Sequence, residues 1–181
     1  LARSCVVVGA ADVSDAVVQC RGALLQERND EAAIRFEISE MRRRLKEAKP
    51  GSTWDPKSGV GRMMDIELVA EAAALIFGCP SQDVYAQLQS GVAAGWLTQQ
   101  EHDILSTTYQ LTWRLQSAAR LLTGDRLDPS SIGTDGRAFL MRSTQTENVQ
   151  ALSGQIAQAC AKAADVLDRV LARAARPVVS S

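Results

Sequence analysis

Aromatic residues make up only 4% of this chain of 181 residues, and histidine occurs once, at His102. So few rings disfavour a β-sandwich core, which leans on aromatic and β-branched side chains. A single histidine leaves little room for serine–histidine or metal–histidine catalysis. The net charge of −1 lacks the basic excess of a general nucleic-acid or membrane-surface binder. No apolar run reaches membrane-spanning length, and no signal peptide is visible. Cys5, Cys20, Cys79 and Cys160 form no C-x-x-C pair, which argues against zinc and fits free thiols in a reducing cytoplasm. No segment alternates apolar and polar residues over a strand's length. Only Cys5–Val8 has β character, and it is too short for a sheet.

What is present is helical pattern. The apolar fraction of 46% is rich in Ala and Leu, which favours helices. Val13, Val17, Leu24 and Leu25 predict a helix to Glu27 that Asp12 can cap. Asp30 caps the next, with the stripe Ile34, Ile38, Met41 and Leu45, and Pro50-Gly51 ends it. A third starts near Gly61 and stops at Gly78, with Pro80 beyond. Ser81 opens a short helix that closes at Gly95. Thr98-Gln-Gln-Glu101 is a capping box for a long helix ending at Gly124. A short helix follows around Ala138–Arg142. The last and longest carries Val149, Leu152, Ile156, Ala163, Val166, Val170 and Ala174 near a seven-residue repeat, which leaves a paired interface open. The expectation is all-α: one bundle of about six to seven helices over residues 1–181, with loops 49–61 and 124–136 as the main irregular connections. Nothing repeats in solenoid fashion. Because Leu1 is not a methionine, we expect a fragment of a longer protein.

The charged elbow Lys57–Glu67 stands out, about fifteen residues after Glu40-Met41-Arg42. Asp65 and Glu67 invite a metal-binding reading. On a helix, however, residues two apart diverge by roughly 200°. They should serve different neighbours: Asp65 the helix dipole, Glu67 a nearby arginine. Arg42, Arg43, Arg44, Lys46 and Lys49 read as a solvated face balanced by Glu37, Glu40 and Glu47. One arginine could instead turn inward to a phosphate or to Glu67. Lys57, Gly59 and Gly61 precede a helix N-terminus, a place suited to anions, but match no phosphate-loop pattern. His102 reads as a surface residue, and Trp54, Trp96 and Trp113 as core or hinge anchors. No catalytic or metal-ligating set emerges from the residues themselves.

Glu40-Met41-Arg42, Trp54-Asp55-Pro56-Lys57 and Gly59-Val-Gly61-Arg-Met-Met-Asp65-Ile66-Glu67 together resemble the E-M-R … W-D-L-K-x-x-x-G-G-L-x-D-I-E-F signature of the glutamine synthetase adenylyltransferase family. Ala2–Gly9 is similar to the entry segment after that family's catalytic domain. Gly95–Thr98 with Glu101, Leu105 and Tyr109, then Leu115 and Arg120-Leu121, resemble its later helices, and the likeness weakens after about residue 130. Departures are Gly61-Arg62-Met63 for the usual Gly-Gly-Leu, Val60 for proline, Leu68 for phenylalanine and Glu71 for glutamine. The resemblance implies the helical domain that follows the nucleotidyltransferase domain. Such enzymes transfer AMP from ATP to a tyrosine of glutamine synthetase and remove it again, under glutamine and a PII-type signal protein. They use magnesium and a Gly-Ser … Asp-x-Asp motif, which this sequence lacks. The implied elbow residues are Glu40, Arg42, Lys57, Gly59, Gly61, Asp65 and Glu67, with Lys57, Asp65 and Glu67 holding its shape and facing the absent domain. ATP and magnesium are expected of the longer enzyme, and no cofactor or activity of this chain alone. A stand-alone interaction module and the helical domain of a related uridylyltransferase are the alternatives.

Overall fold

The computed structural model describes residues 6–26, 30–124 and 127–173. Among them are seven helices and no strand. In chain order they are α1 (Ala11–Gln26), α2 (Glu31–Ala48), α3 (Met63–Phe77), α4 (Val84–Ala93), α5 (Gln99–Leu122), α6 (Thr134–Thr144) and α7 (Val149–Ala172). None is long and apolar enough to cross a membrane. The all-α bundle therefore holds, and Val6–Val8 are exposed and carry no strand.

The punctuation of the sequence explains the boundaries. Asp30 Oδ1 accepts hydrogen bonds from the Ala32 and Ala33 N–H groups and starts α2. Gly78 ends α3 at φ 66°, a left-handed conformation that costs glycine least. The capping box is complete: Glu101 N–H donates to Thr98 Oγ1 and Thr98 N–H donates to Glu101 Oε2. Several starts differ from expectation. Asp12 lies inside the first turn of α1 rather than before it. Asp83, not Ser81, caps α4, because its carboxylate reaches the Ala86 N–H. The sixth helix begins at Thr134, where Gly133 provides an extended lead-in with no side-chain cap for a sequence reader to see. At 24 residues each, α5 and α7 are equal in length.

The core is in two parts. One gathers Ile38, the apolar face of α3, Leu88, Leu105 and the second half of α7. The other joins the second half of α5, Leu140 of α6 and Leu152, Ile156 and Cys160 of α7. From Leu152 onward the near-heptad stripe of α7 faces these cores, with Cys160 and Leu167 added to it, while Val149 is half-buried and belongs to neither; Ala174 lies outside the described residues. The stripe assigned to α1 does not: Val13 and Val17 are exposed, and only Leu25 is buried, against Ala74. Helix α2 is rotated from its expected setting. Ile38 is buried and Ile34 packs on the core as expected, but Met41 is exposed and Arg35 is buried in its place. Trp96 is buried and Trp54 packs on the second core, but Trp113 is 54% exposed and anchors nothing.

Arg35, only 6% exposed, explains the rotation. Its guanidinium donates to the Val170 carbonyl at 3.0 Å and to the Arg173 carbonyl, bonds Glu31 at 2.5 Å and lies over the Trp96 ring at 5.4 Å. A cation at the C-terminus of α7 satisfies carbonyls that no helical N–H can reach and suits the dipole there. Arg173 turns back to Glu101 at 2.5 Å.

Burial pushes the Glu101 carboxyl up, but the Arg173 guanidinium and the Thr98 groups outweigh it and hold the carboxyl below its usual 4.5. A depressed acid stabilises the fold above its unfolded value and loses that contribution as pH falls through the folded value. Urea midpoints compared between neutral pH and about pH 3 should therefore fall less for Glu101→Gln than for the parent chain. Equal falls would refute the ion pair's contribution.

Candidate functional site

The elbow is built where α2, the loop 49–62, α3 and α7 meet. Arg42 is the arginine that turns inward, and its partner is Asp65 rather than Glu67. Arg42 Nε lies 2.5 Å from Asp65 Oδ1 and Nη2 lies 3.0 Å from Oδ2. This is the planar two-bond fork that lysine cannot make. Arg42 Nη1 also bonds Asp168 Oδ1 of α7 at 2.9 Å. The remaining lone pair of Asp65 Oδ2 accepts the Gly61 N–H at 2.7 Å. Asp65 is thus not merely an acid in a first turn; it fastens the loop and α2 to the start of α3. Burial works against the Arg42 charge, yet Asp65 and Asp168 outweigh it and push its pKa up.

Gly61 has the tightest steric constraint in the site. Its φ is 69°, and a Cβ there would stand 2.0 Å from the Cys160 carbonyl oxygen and 2.9 Å from the Ala164 nitrogen, both on α7. The close approach to α7 that only glycine allows is therefore made at 61. Arg62, in the place of the family's second glycine, is extended at φ −97°, where any residue fits. Its guanidinium donates to the Asp55 carbonyl and thereby braces the loop. Burial also pushes the Cys160 thiol up.

The other expected residues scatter. Glu67 accepts the Tyr109 hydroxyl at 2.9 Å, so Asp65 and Glu67 do diverge around α3. Gly59 is left-handed at φ 116° and crowded by the Pro50 carbonyl. Glu40 stays on the surface, where the Arg43 hydrogen bond and charge hold its carboxyl below the usual range; Arg43 pairs with Glu47 as well. The Lys57 side chain is exposed, and its backbone N–H donates to Asp55 Oδ1. His102 is half-buried rather than on the open surface, beside Asp103 and Ser106. The three described cysteines are free; Cys5 lies outside the described residues. No group of three His, Cys, Asp or Glu side chains among the described residues could hold a metal ion.

Reading the sequence missed Arg35, Asp168 and Arg173. A signal for the first existed: Arg35, Ile38, Arg42 and Leu45 share one face at the spacing of a buried stripe. The apolar stripe Ile34–Ile38–Met41–Leu45 lies only about 50° away, and its hydrophobicity is the stronger signal in the sequence.

Two substitutions test this geometry. Gly61→Ala should cost about 2–4 kcal/mol in urea unfolding, from the clash with α7 and the left-handed backbone. Asp65→Asn should cost about 2–3 kcal/mol by breaking the fork to Arg42. A loss below about 1 kcal/mol for both would contradict the packing described.

Comparison with known proteins follows the same lines. The chain is 28% identical over 163 residues to a bifunctional glutamine synthetase adenylyltransferase/adenylyl-removing enzyme of Bradyrhizobium diazoefficiens, covering 86% of this chain and 16% of that protein. It is 25% identical over 177 residues to the protein of the same description in Rhodopseudomonas palustris strain HaA2, covering 94% of this chain and 18% of that one. The chain thus spans less than a fifth of the length of these curated relatives. The profile of a family described as GlnD PII-uridylyltransferase matches residues 32–173, from the first turn of α2 to the end of the described α7 region. With that match over most of its length, the chain belongs to the GlnD PII-uridylyltransferase family.

Proposed function

We propose that this chain is the helical domain of a glutamine synthetase adenylyltransferase, standing after the catalytic nucleotidyltransferase domain of a longer cytoplasmic enzyme. That enzyme would transfer AMP from ATP to glutamine synthetase and remove it, with a PII-type protein as a further partner. The observation that carries this reading is how the signature residues are used. Arg42 and Asp65 are spent on each other, on Gly61 and on Asp168. Glu67 takes the Tyr109 hydroxyl. They shape a rigid corner and do not form an open reaction centre. The short share of each relative that the chain spans supports the same division, with chemistry in the part outside it.

ATP and magnesium belong, on this reading, to the catalytic domain. The acids of the elbow do not fit a metal, because Asp65 is already surrounded by donors and Glu67 points elsewhere. The elbow's contribution is positional: Arg42, Asp65 and Gly61 hold α2, α3 and α7 in one arrangement, and the exposed Lys57 and its loop present a face to the neighbouring domain. The uridylyltransferase reading is kept alive by the description of the matching family. Nucleotide choice separates the two: the intact enzyme should use ATP and modify glutamine synthetase, whereas UTP use on a PII-type protein would favour the alternative.

In the intact enzyme, Asp65→Ala should lower both thermal stability and adenylyl transfer. If neither changed, the positional role would be wrong. Titration of the present chain with ATP and magnesium should release no heat; a micromolar response would overturn the placement of the chemistry elsewhere.

A further inference from the structure

A groove of about 390 Å³ runs beside the elbow, between the second half of α2, the turn at 58–60, the start of α3 and the last turn of α7. Its floor is apolar, made by Leu45, Val60, Met64 and Leu171, and its rim carries Lys46 and Lys49. From the Arg42–Asp168 pair at one end to Lys49 at the other, α2 advances roughly 10 Å. The volume lies within the range of small-ligand pockets, but the chemistry does not match one. Such pockets recognise ligands through buried polar groups that converge on the cavity. Here Arg42 and Asp65, the buried polar pair of the lining, already satisfy each other.

The cations left for recognition are on the rim. Arg42 is held by Asp65 and Asp168, and Arg43 by Glu40 and Glu47. Lys46, in the last turn of α2, and Lys49, which caps its C-terminus, are both exposed and both line the groove with its apolar residues. Flexible cations over an aliphatic trough suit a chain segment that brings apolar side chains and carboxylates together, the helix-in-groove mode of recognition. Asp168, 69% exposed, gives the trough a negative end and so a direction. The carboxylates of an occupant would lie toward Lys49 and away from Asp168.

We propose that this groove docks an acidic segment of a partner protein, with an aliphatic side chain seated between Leu45, Val60, Met64 and Leu171 and carboxylates on Lys46 and Lys49. The inference rests on the reading of this chain as a helical domain of a longer enzyme whose elbow loop presents a face to its neighbours, and adds the chemistry of what meets the groove beside it. The charge pattern predicts an attraction that salt weakens, because both lysines are in solvent.

The test uses the present chain and a fluorescent synthetic helical peptide of glutamate and leucine, with a lysine–leucine peptide and a glutamate–serine peptide as controls. Anisotropy should show saturable binding of the glutamate–leucine peptide alone. Amide shifts should centre on residues 45–49 at the end of α2, the 58–60 turn and Leu171. Lys46→Glu with Lys49→Glu should weaken binding at least about tenfold. The milder Lys46→Gln/Lys49→Gln pair should weaken it less, and Lys162→Glu, elsewhere on α7, should leave it unchanged. Equal binding of the lysine–leucine peptide, loss of the signal to inorganic phosphate alone, shifts on another face, or no binding would each overturn the proposal. The outcome is separable from the preceding one. If Asp65→Ala impairs transfer while the peptide fails to bind, only the docking inference falls; if the peptide binds while Asp65→Ala changes nothing, only the functional reading falls.

Discussion

The fork between Arg42 and Asp65 is the contact on which the rest of the fold turns. A buried ion pair is weak evidence of stability by itself, since desolvation offsets its attraction. Its value here is geometric. Asp65 has a third donor in the Gly61 N–H, and Arg42 has a second acceptor in Asp168. One side-chain pair therefore ties three consecutive segments, α2, the elbow loop and α3, to the distant α7. Planar, two-bonded geometry admits little sliding, so the register of α2 against α3 follows from it.

Arg35 repeats the arrangement one heptad earlier on α2. It closes the carbonyl end of α7 as Arg42 binds Asp168 a little upstream on that helix. Two buried cations on a helix otherwise facing an apolar core would be costly without such acceptors. The open C-terminal carbonyls of α7 and the carboxylates of Asp65 and Asp168 make them tolerable. The rotation of α2 follows: the helix turns its arginines inward because their acceptors lie there, and leaves Met41 in water.

Much of this was legible in the residues. Asp30, Gly78, the Thr98–Glu101 box and Gly124 mark helix ends through local chemistry, and local chemistry is what a sequence carries most directly. The apolar periods of α3, α5 and α7 were equally plain. What escaped notice depends on partners far along the chain. Nothing near Val13 and Val17 says that α1 has only a small contact with the bundle. Nothing near Trp113 says that its side of α5 faces water. At the elbow, the divergence of Asp65 and Glu67 could be deduced from helix geometry, but the choice of Asp65 by Arg42 could not, because it depends on where α2 crosses α3. The departure at Arg62 is harmless for a reason no sequence shows: the glycine requirement lies one residue earlier, where the backbone of α7 comes within contact.

The two-part core gives the elbow a role beyond local shape. Helices α5 and α7 are shared by both apolar clusters; α2, α3 and α4 belong to one and α6 to the other. Gly61 meets α7 at Cys160, in one cluster, and at Ala164, the neighbour of Ala163 in the other, while Trp54 of the same loop packs on the cluster that holds Cys160. The loop thus straddles the seam between the two clusters. Local opening in proteins follows such packing units, and a loop that touches both makes the boundary between them a shared one.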